Sequence, residues 1–231
     1  MKKGDKKGSH VEIIISFIIF VVFVIFLLAI IGPSISTQKS KKNIFESIEK
    51  EIISKTSADM TIITVNLASG GGNCVALDNL LDDLNIGENI IVKDSSGNNL
   101  VSTLNGDSLQ INRLSTEDRF FKIYYSGEFW DLGTGAGCSS RSYEVGLVKT
   151  DKYIFQSKFM DLLDRDYETL KKEMKMSEGV EFGYGIVLSN GTIIERNTED
   201  VSTNIYIRET PIEYVDPYGN VLEGYLRTKI W

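Results

Sequence analysis

The side chains able to do chemistry are few in this chain of 231 residues. There are two cysteines, Cys74 and Cys138, and one histidine, His10. A single histidine beside an apolar run supports no Ser-His-Asp triad, no Cys-His pair and no HExxH zinc site. No C-x-x-C occurs, so a dithiol redox motif is absent. Each cysteine lies beside a glycine-rich stretch, Gly70-Gly71-Gly72 or Gly133-Thr134-Gly135-Ala136-Gly137. Outside a reducing cytosol, two cysteines read most simply as one disulfide. Closing a loop of about 65 residues would stabilise the fold by about 4 kcal/mol in the chain-entropy picture. Two separate buried thiols are the other reading.

The remaining candidates for chemistry reduce to local structure. Gly133–Gly137 lacks the Lys-Ser/Thr that completes a P-loop, and no βαβ unit surrounds it, so it reads as a turn. Asp161, Asp164, Asp166 and Glu168 are scattered over the wet face of an expected helix, and no EF-hand glycine follows them. We therefore assign no catalytic, cofactor-binding or metal-binding residues and expect a protein that is not an enzyme. Asn190-Gly191-Thr192 fits the N-glycosylation pattern, although Asn-Gly equally marks a type I′ hairpin turn.

Elements large enough to position anything begin with an apolar run. Ile13–Ile31 holds nineteen residues without a charge, and Ser16 is its one polar side chain. As a helix it rises about 28 Å, close to the thickness of a bilayer's hydrocarbon core. A soluble core helix is seldom apolar on every side. A cleavable secretory signal is the competing reading, with Ser34-Ile35-Ser36 as its site, but the run exceeds the usual h-region. Residues 1–32 sum to +2, which leaves −9 of the total −7 on the rest of the chain. That acidic balance argues against nucleic acid as a partner. With 25% charged and 10% aromatic residues, the remainder reads as a folded domain, not a disordered tail. Lysines flank both ends of the run, so charge alone sets orientation weakly. A disulfide favours an external C-terminal domain and hence a cytoplasmic N-terminus.

Glu12 stands at the threshold of the run. It is either an acid tolerated among headgroups or one that pairs with a positive group of another subunit. Glu12, Ser16, Phe20, Phe23 and Leu27 share one helix side, and Phe17, Phe20, Phe23 and Phe26 recur every third residue. Such a phenylalanine-rich surface serves either lipid contact or assembly.

The stretch Lys6-Lys7-Gly8-Ser9-His10-Val11-Glu12-Ile13-Ile14-Ile15-Ser16-Phe17 resembles the class III signal of archaeal type IV pilin-like proteins. The resemblance covers about residues 1–60. It implies that a prepilin-type peptidase cuts a short basic leader, with Gly8 its last residue and Ser9 the first of the mature chain. The apolar helix is then retained as an anchor or as filament core, and Glu12 pairs with a neighbour's α-amine. Glu12 falls fourth in that mature chain where the family's usual acid is fifth. A cut before Gly8 would restore the fifth place and lose the glycine at the junction.

Beyond the span, Gly32-Pro33 is expected to end or kink the helix, and residues 34–42 to form a polar juncture. Ile44, Phe45, Ile48, Ile52 and Ile53 then mark an amphipathic helix, with Glu46, Glu49, Lys50 and Glu51 on its wet side. Strands follow at Thr61–Leu67, Ile90–Lys93, Leu100–Leu104, Ser108–Ile111, Phe120–Tyr125 and Tyr143–Lys149. A short helix is expected over Leu77–Leu84 and a longer one over Ser157–Lys175, with Gly179 at its exit. Two hairpins close the chain, Phe182–Leu188 with Thr192–Glu195 and Ile205–Ile207 with Val221–Ile230. The predicted fold class is α+β: a transmembrane helix continuing into an amphipathic one, then a mainly antiparallel domain with one inserted helix. The expected divisions are a leader over 1–8, an assembly helix over 9–32, a juncture and amphipathic helix over 33–57, and an extracellular domain over 58–231. The leading expectation is a pilin-like structural subunit whose partners are the membrane, the peptidase and copies of itself or similar subunits. The alternative is a single-span ectodomain that binds a surface ligand without polymerising.

Overall fold

In the computed structural model of the chain the described residues are 8–68, 72–135, 137–176, 179–196 and 204–231, with the backbone alone described over 8–10 and 30–40. They group into two units, residues 1–47 and 48–231.

The first unit is helical. Helix α1, Gly8–Thr56, crosses the boundary between the units without a break. Of the two outcomes expected at Gly32-Pro33 the helix does not end there, and the polar juncture over 34–42 is helical. A proline inside a helix removes one hydrogen bond and costs about 3 kcal/mol, a local penalty. After Ser34-Ile35-Ser36-Thr37 the stronger helix formers Gln38, Lys39, Lys41 and Lys42 carry the helix onward.

The second unit is α+β, as the sequence predicts. Strand β1, Ser57–Leu67, follows α1 directly, and its run of β-branched residues suits a sheet interior. It lies between β7, Phe120–Tyr125, and β9, Tyr143–Phe155, both antiparallel to it. These belong to a nine-stranded sheet that also holds β3, Ile90–Lys93, and β4, Asn99–Leu100. Its other strands are β10, Phe182–Val187, β11, Ile193–Glu195, β12, Tyr206–Val215, and β13, Val221–Ile230. A second, four-stranded sheet contains β2, Cys74–Asp78, β5, Ser102–Asn105, β6, Ser108–Asn112, and β8, Ser139–Ser140. Pairing is antiparallel except for β9 with β12 and β2 with β8.

Alternation explains the main core. Ile63, Val65 and Leu67 on β1, Phe121 and Ile123 on β7 and Val92 on β3 meet Val75, Leu77, Leu109 and Ile111 from the smaller sheet. All are buried, so the two sheets close over one apolar layer. The strand expected over Leu100–Leu104 is two strands. Exposed Val101 forms the corner where the chain leaves one sheet for the other.

The expected helix over Leu77–Leu84 is only α2, Leu80–Leu84, because Leu77 belongs to β2. The long inserted helix is likewise two short ones, α3, Gln156–Leu163, and α4, Tyr167–Glu173. Asp166 breaks them: its carboxylate accepts from the Thr169 amide at 2.8 Å and caps α4. Phe159, Leu162, Leu170 and Met174 still share the buried side that the spacing predicts. The exit residue after α4 is Lys175 in the left-handed region, ahead of Gly179.

Three hairpin loops share one design. In Asp94–Asn98, Leu188–Thr192 and Asp216–Asn220 the fourth residue's amide donates to the first residue's carbonyl, and the first residue's amide donates to the fifth's carbonyl. The fourth residue is a positive-φ glycine each time: Gly97, Gly191 and Gly219. Asn190 has no positive φ, so the expected type I′ turn is corrected to a three-residue loop closed by a left-handed glycine.

Candidate functional site

The apolar part of α1 is the feature of this molecule with the strongest functional constraint. Val11–Ala29 is 19 residues long, and none of it is buried within the protein. Phe17 and Leu28 are each 66% exposed. Each such side chain forgoes about 2 kcal/mol of burial in water, so the segment requires an apolar surrounding. The helix is long and apolar enough to cross a membrane once.

Gly8 and Ser9, the expected cleavage junction, open α1; of these two the backbone alone is described, and residues 1–7 lie outside the described residues. Glu12 lies in the second turn and is exposed. Helical spacing stacks Glu12, Ser16 and Phe20 along one side, and with Ile13 and Phe17 they line a shallow groove. The arrangement sets a single carboxylate at one end of an otherwise apolar surface. Chemically it can pair with a cation supplied from outside the helix; among the described residues lining the groove there is no second acid or base.

Farther along α1 is a carboxylate that sequence reasoning misplaced. Glu49, expected on the wet side, is 6% exposed. Its Oε1 accepts from Thr210 Oγ1 at 3.1 Å and Thr228 Oγ1 at 3.3 Å, and Arg208 Nε lies 3.3 Å away. Burial of this acid follows from its spacing to Ile52 and Thr56, which set it on the packed side. Arg208 and the two hydroxyls then compensate its charge. The only hint in the sequence was that spacing.

Cys74 and Cys138 are joined in a disulfide, with Cα atoms 5.1 Å apart, as the sequence predicts. Val75 pairs with Ser139 beside it, so the bond ties β8 to β2. Asp78 ends β2 and accepts from Ser108 and Ser140; these hydroxyls hold its carboxyl below the ordinary aspartate range. The stretch Gly133–Gly137 follows the edge of β5: Leu104 donates to the Gly133 carbonyl, and Gly135 donates back to Leu104. It is edge-covering backbone and forms no phosphate cradle; Ala136 lies outside the described residues. Asn190 is exposed at its loop, its Oδ1 accepting from the Thr192 amide at 2.9 Å.

Among the described residues no group of three or more His, Cys, Asp or Glu side chains is placed to hold a metal ion. An open cleft beside the β12–β13 hairpin is lined by Val187, Ser189, Pro211, Glu213, Glu223 and Tyr225, among others. Glu213 and Glu223 face each other across the strands there, a pairing the sequence did not suggest. Both are exposed, so water screens them and no apolar wall separates an acid from a base. No protein family, curated protein or solved structure matches this chain.

Proposed function

We propose that this chain is a pilin-like structural subunit of an archaeal cell-surface filament or related assembly, anchored through α1 until it is assembled. The observation that supports this reading most is the placement of one acid, Glu12, at the head of a wholly unburied apolar helix that runs on into a folded α+β unit. In this reading a prepilin-type peptidase removes the basic leader after Gly8. The freed Ser9 amine of one subunit then meets Glu12 of its neighbour inside an apolar bundle. A low dielectric strengthens that pairing, and an unpaired carboxylate there costs on the order of 3 kcal/mol. The short N-terminus is cytoplasmic before processing, and the disulfide-bonded unit is extracellular. The protein performs no catalysis in this account.

The test is fractionation of the native host after mechanical shearing. The chain is expected in the sheared high-molecular-weight fraction. Gly8→Trp is expected to keep the leader and leave the protein in the membrane. If parent and variant both stay in the membrane with intact leaders, the anchored binding ectodomain is the better reading.

A further inference from the structure

Two of the three similar hairpin loops meet in space, and one brings an amine to the other's carboxamide. Lys93, the last residue of β3, is 3% exposed. Its Nζ lies 2.6 Å from Asn220 Oδ1, although the residues are 127 positions apart. The carbonyl carbon is one C=O bond beyond that oxygen, which puts Nζ within about 3.8 Å of it. Asn220 Nδ2 points the other way and donates to Asp216 Oδ2 at 2.8 Å. Asp216 is itself fixed, its Oδ1 accepting from the Tyr218 and Asn220 amides. Asn99 Nδ2 donates to the Tyr218 carbonyl at 3.2 Å, and Gly219 lies against Ile91 and Phe129, so the two tips stay together. The Tyr124 ring, 5.2 Å from Nζ, walls the amine.

We propose that Lys93 and Asn220 react with each other to form an intramolecular isopeptide bond. Lys93 Nζ, as the neutral amine, attacks Asn220 Cγ. The Nζ–Cγ bond forms, the Cγ–Nδ2 bond breaks, and nitrogen leaves as ammonia. One proton passes from Nζ to the departing Nδ2, which Asp216 Oδ2 holds through its hydrogen bond. No oxidant, cofactor or second protein enters the balance. Burial favours the neutral amine and pushes Lys93 below its ordinary value, while the Asp216 carboxylate opposes that shift. Holding the groups in contact replaces a bimolecular encounter with an intramolecular one.

The neighbouring loop supplies an internal control. Asp94–Asn98 repeats the same contacts, with Asn98 Nδ2 donating to Asp94 Oδ2 at 2.9 Å. Val215 precedes Asp216 where Lys93 precedes Asp94. Among the described contacts Asn98 meets no lysine amine, so its carboxamide persists. The bond would close the chain between residues 93 and 220, and it does not depend on whether the protein assembles.

The test is intact-mass and peptide analysis of the full chain, purified in detergent. Beyond the disulfide, the mass is expected about 17 Da below the sequence value, with a branched peptide joining Lys93 to Asn220. Lys93→Arg, Asn220→Ala and Asp216→Ala are expected at unreduced mass. A parent protein that keeps its full mass, with Lys93 open to an amine reagent after denaturation, overturns the proposal. So does a loss of ammonia that maps to a succinimide at Asn190-Gly191.

Discussion

Glu12 and Glu49 lie on the same helix in opposite surroundings, one exposed and one buried. Glu49 is compensated within its own chain by Arg208, Thr210 and Thr228. Glu12 is exposed at the head of an apolar surface. If Glu12 serves association, Glu12→Ala and Glu12→Gln should leave thermal unfolding of the residue 48–231 unit unchanged and reduce recovery in the sheared surface fraction. Equal recovery of parent and both variants would make Glu12 a tolerated interfacial acid. A third carboxylate sets the response to acid. Glu181 is held below the usual glutamate range, first by the Lys171 ammonium and then by the Tyr167 hydroxyl. Its folded value lies below its unfolded value. The stabilisation is therefore fully present above about pH 4.5 and is lost as pH falls through the folded value. Glu181→Gln is expected to flatten the melting-temperature profile on the acid side, below about pH 4.5. Identical slopes in parent and variant would remove this ion pair from the acid response.

At the scale of elements, the sequence made strand identity plain and left strand extent obscure. The alternation Ile63, Val65, Leu67 and the aromatic run Phe120–Tyr125 place β1 and β7 without ambiguity. β9 extends to Phe155, well past the expected Lys149, because pairing along β1 supports residues whose own pattern is polar. The break between α3 and α4 depends on one cap at Asp166, a feature that the continuous apolar spacing hid. The three-residue loop at Asn190-Gly191 shows that the dipeptide marks a turn without fixing its type. Glu49 was read as wet because a charge on a helix usually is, and its compensation comes from strands about 160 residues later. The disulfide was legible from number and context. Cys74 and Cys138 should resist alkylation in denatured, non-reduced protein. Cys74→Ser is expected to cost about 4 kcal/mol in chemical unfolding. Alkylation of both thiols without reductant would contradict the bond.

For the whole molecule, what could be read from the sequence is the pairing of a single apolar span with a folded acidic unit. The assembly reading depends on residues at the very start, where a basic leader, Gly8, Ser9 and Glu12 occur together. Of these, Glu12 is exposed, and the assembly reading accounts for their co-occurrence by processing and association. The most direct measurement is the mature N-terminus, determined by mass spectrometry on protein from the native host. The expected chain begins at Ser9 with a free α-amine and retains the whole span. A chain that keeps Met1–Gly8, or one cut beyond the span near Ser34–Ser36, would contradict it.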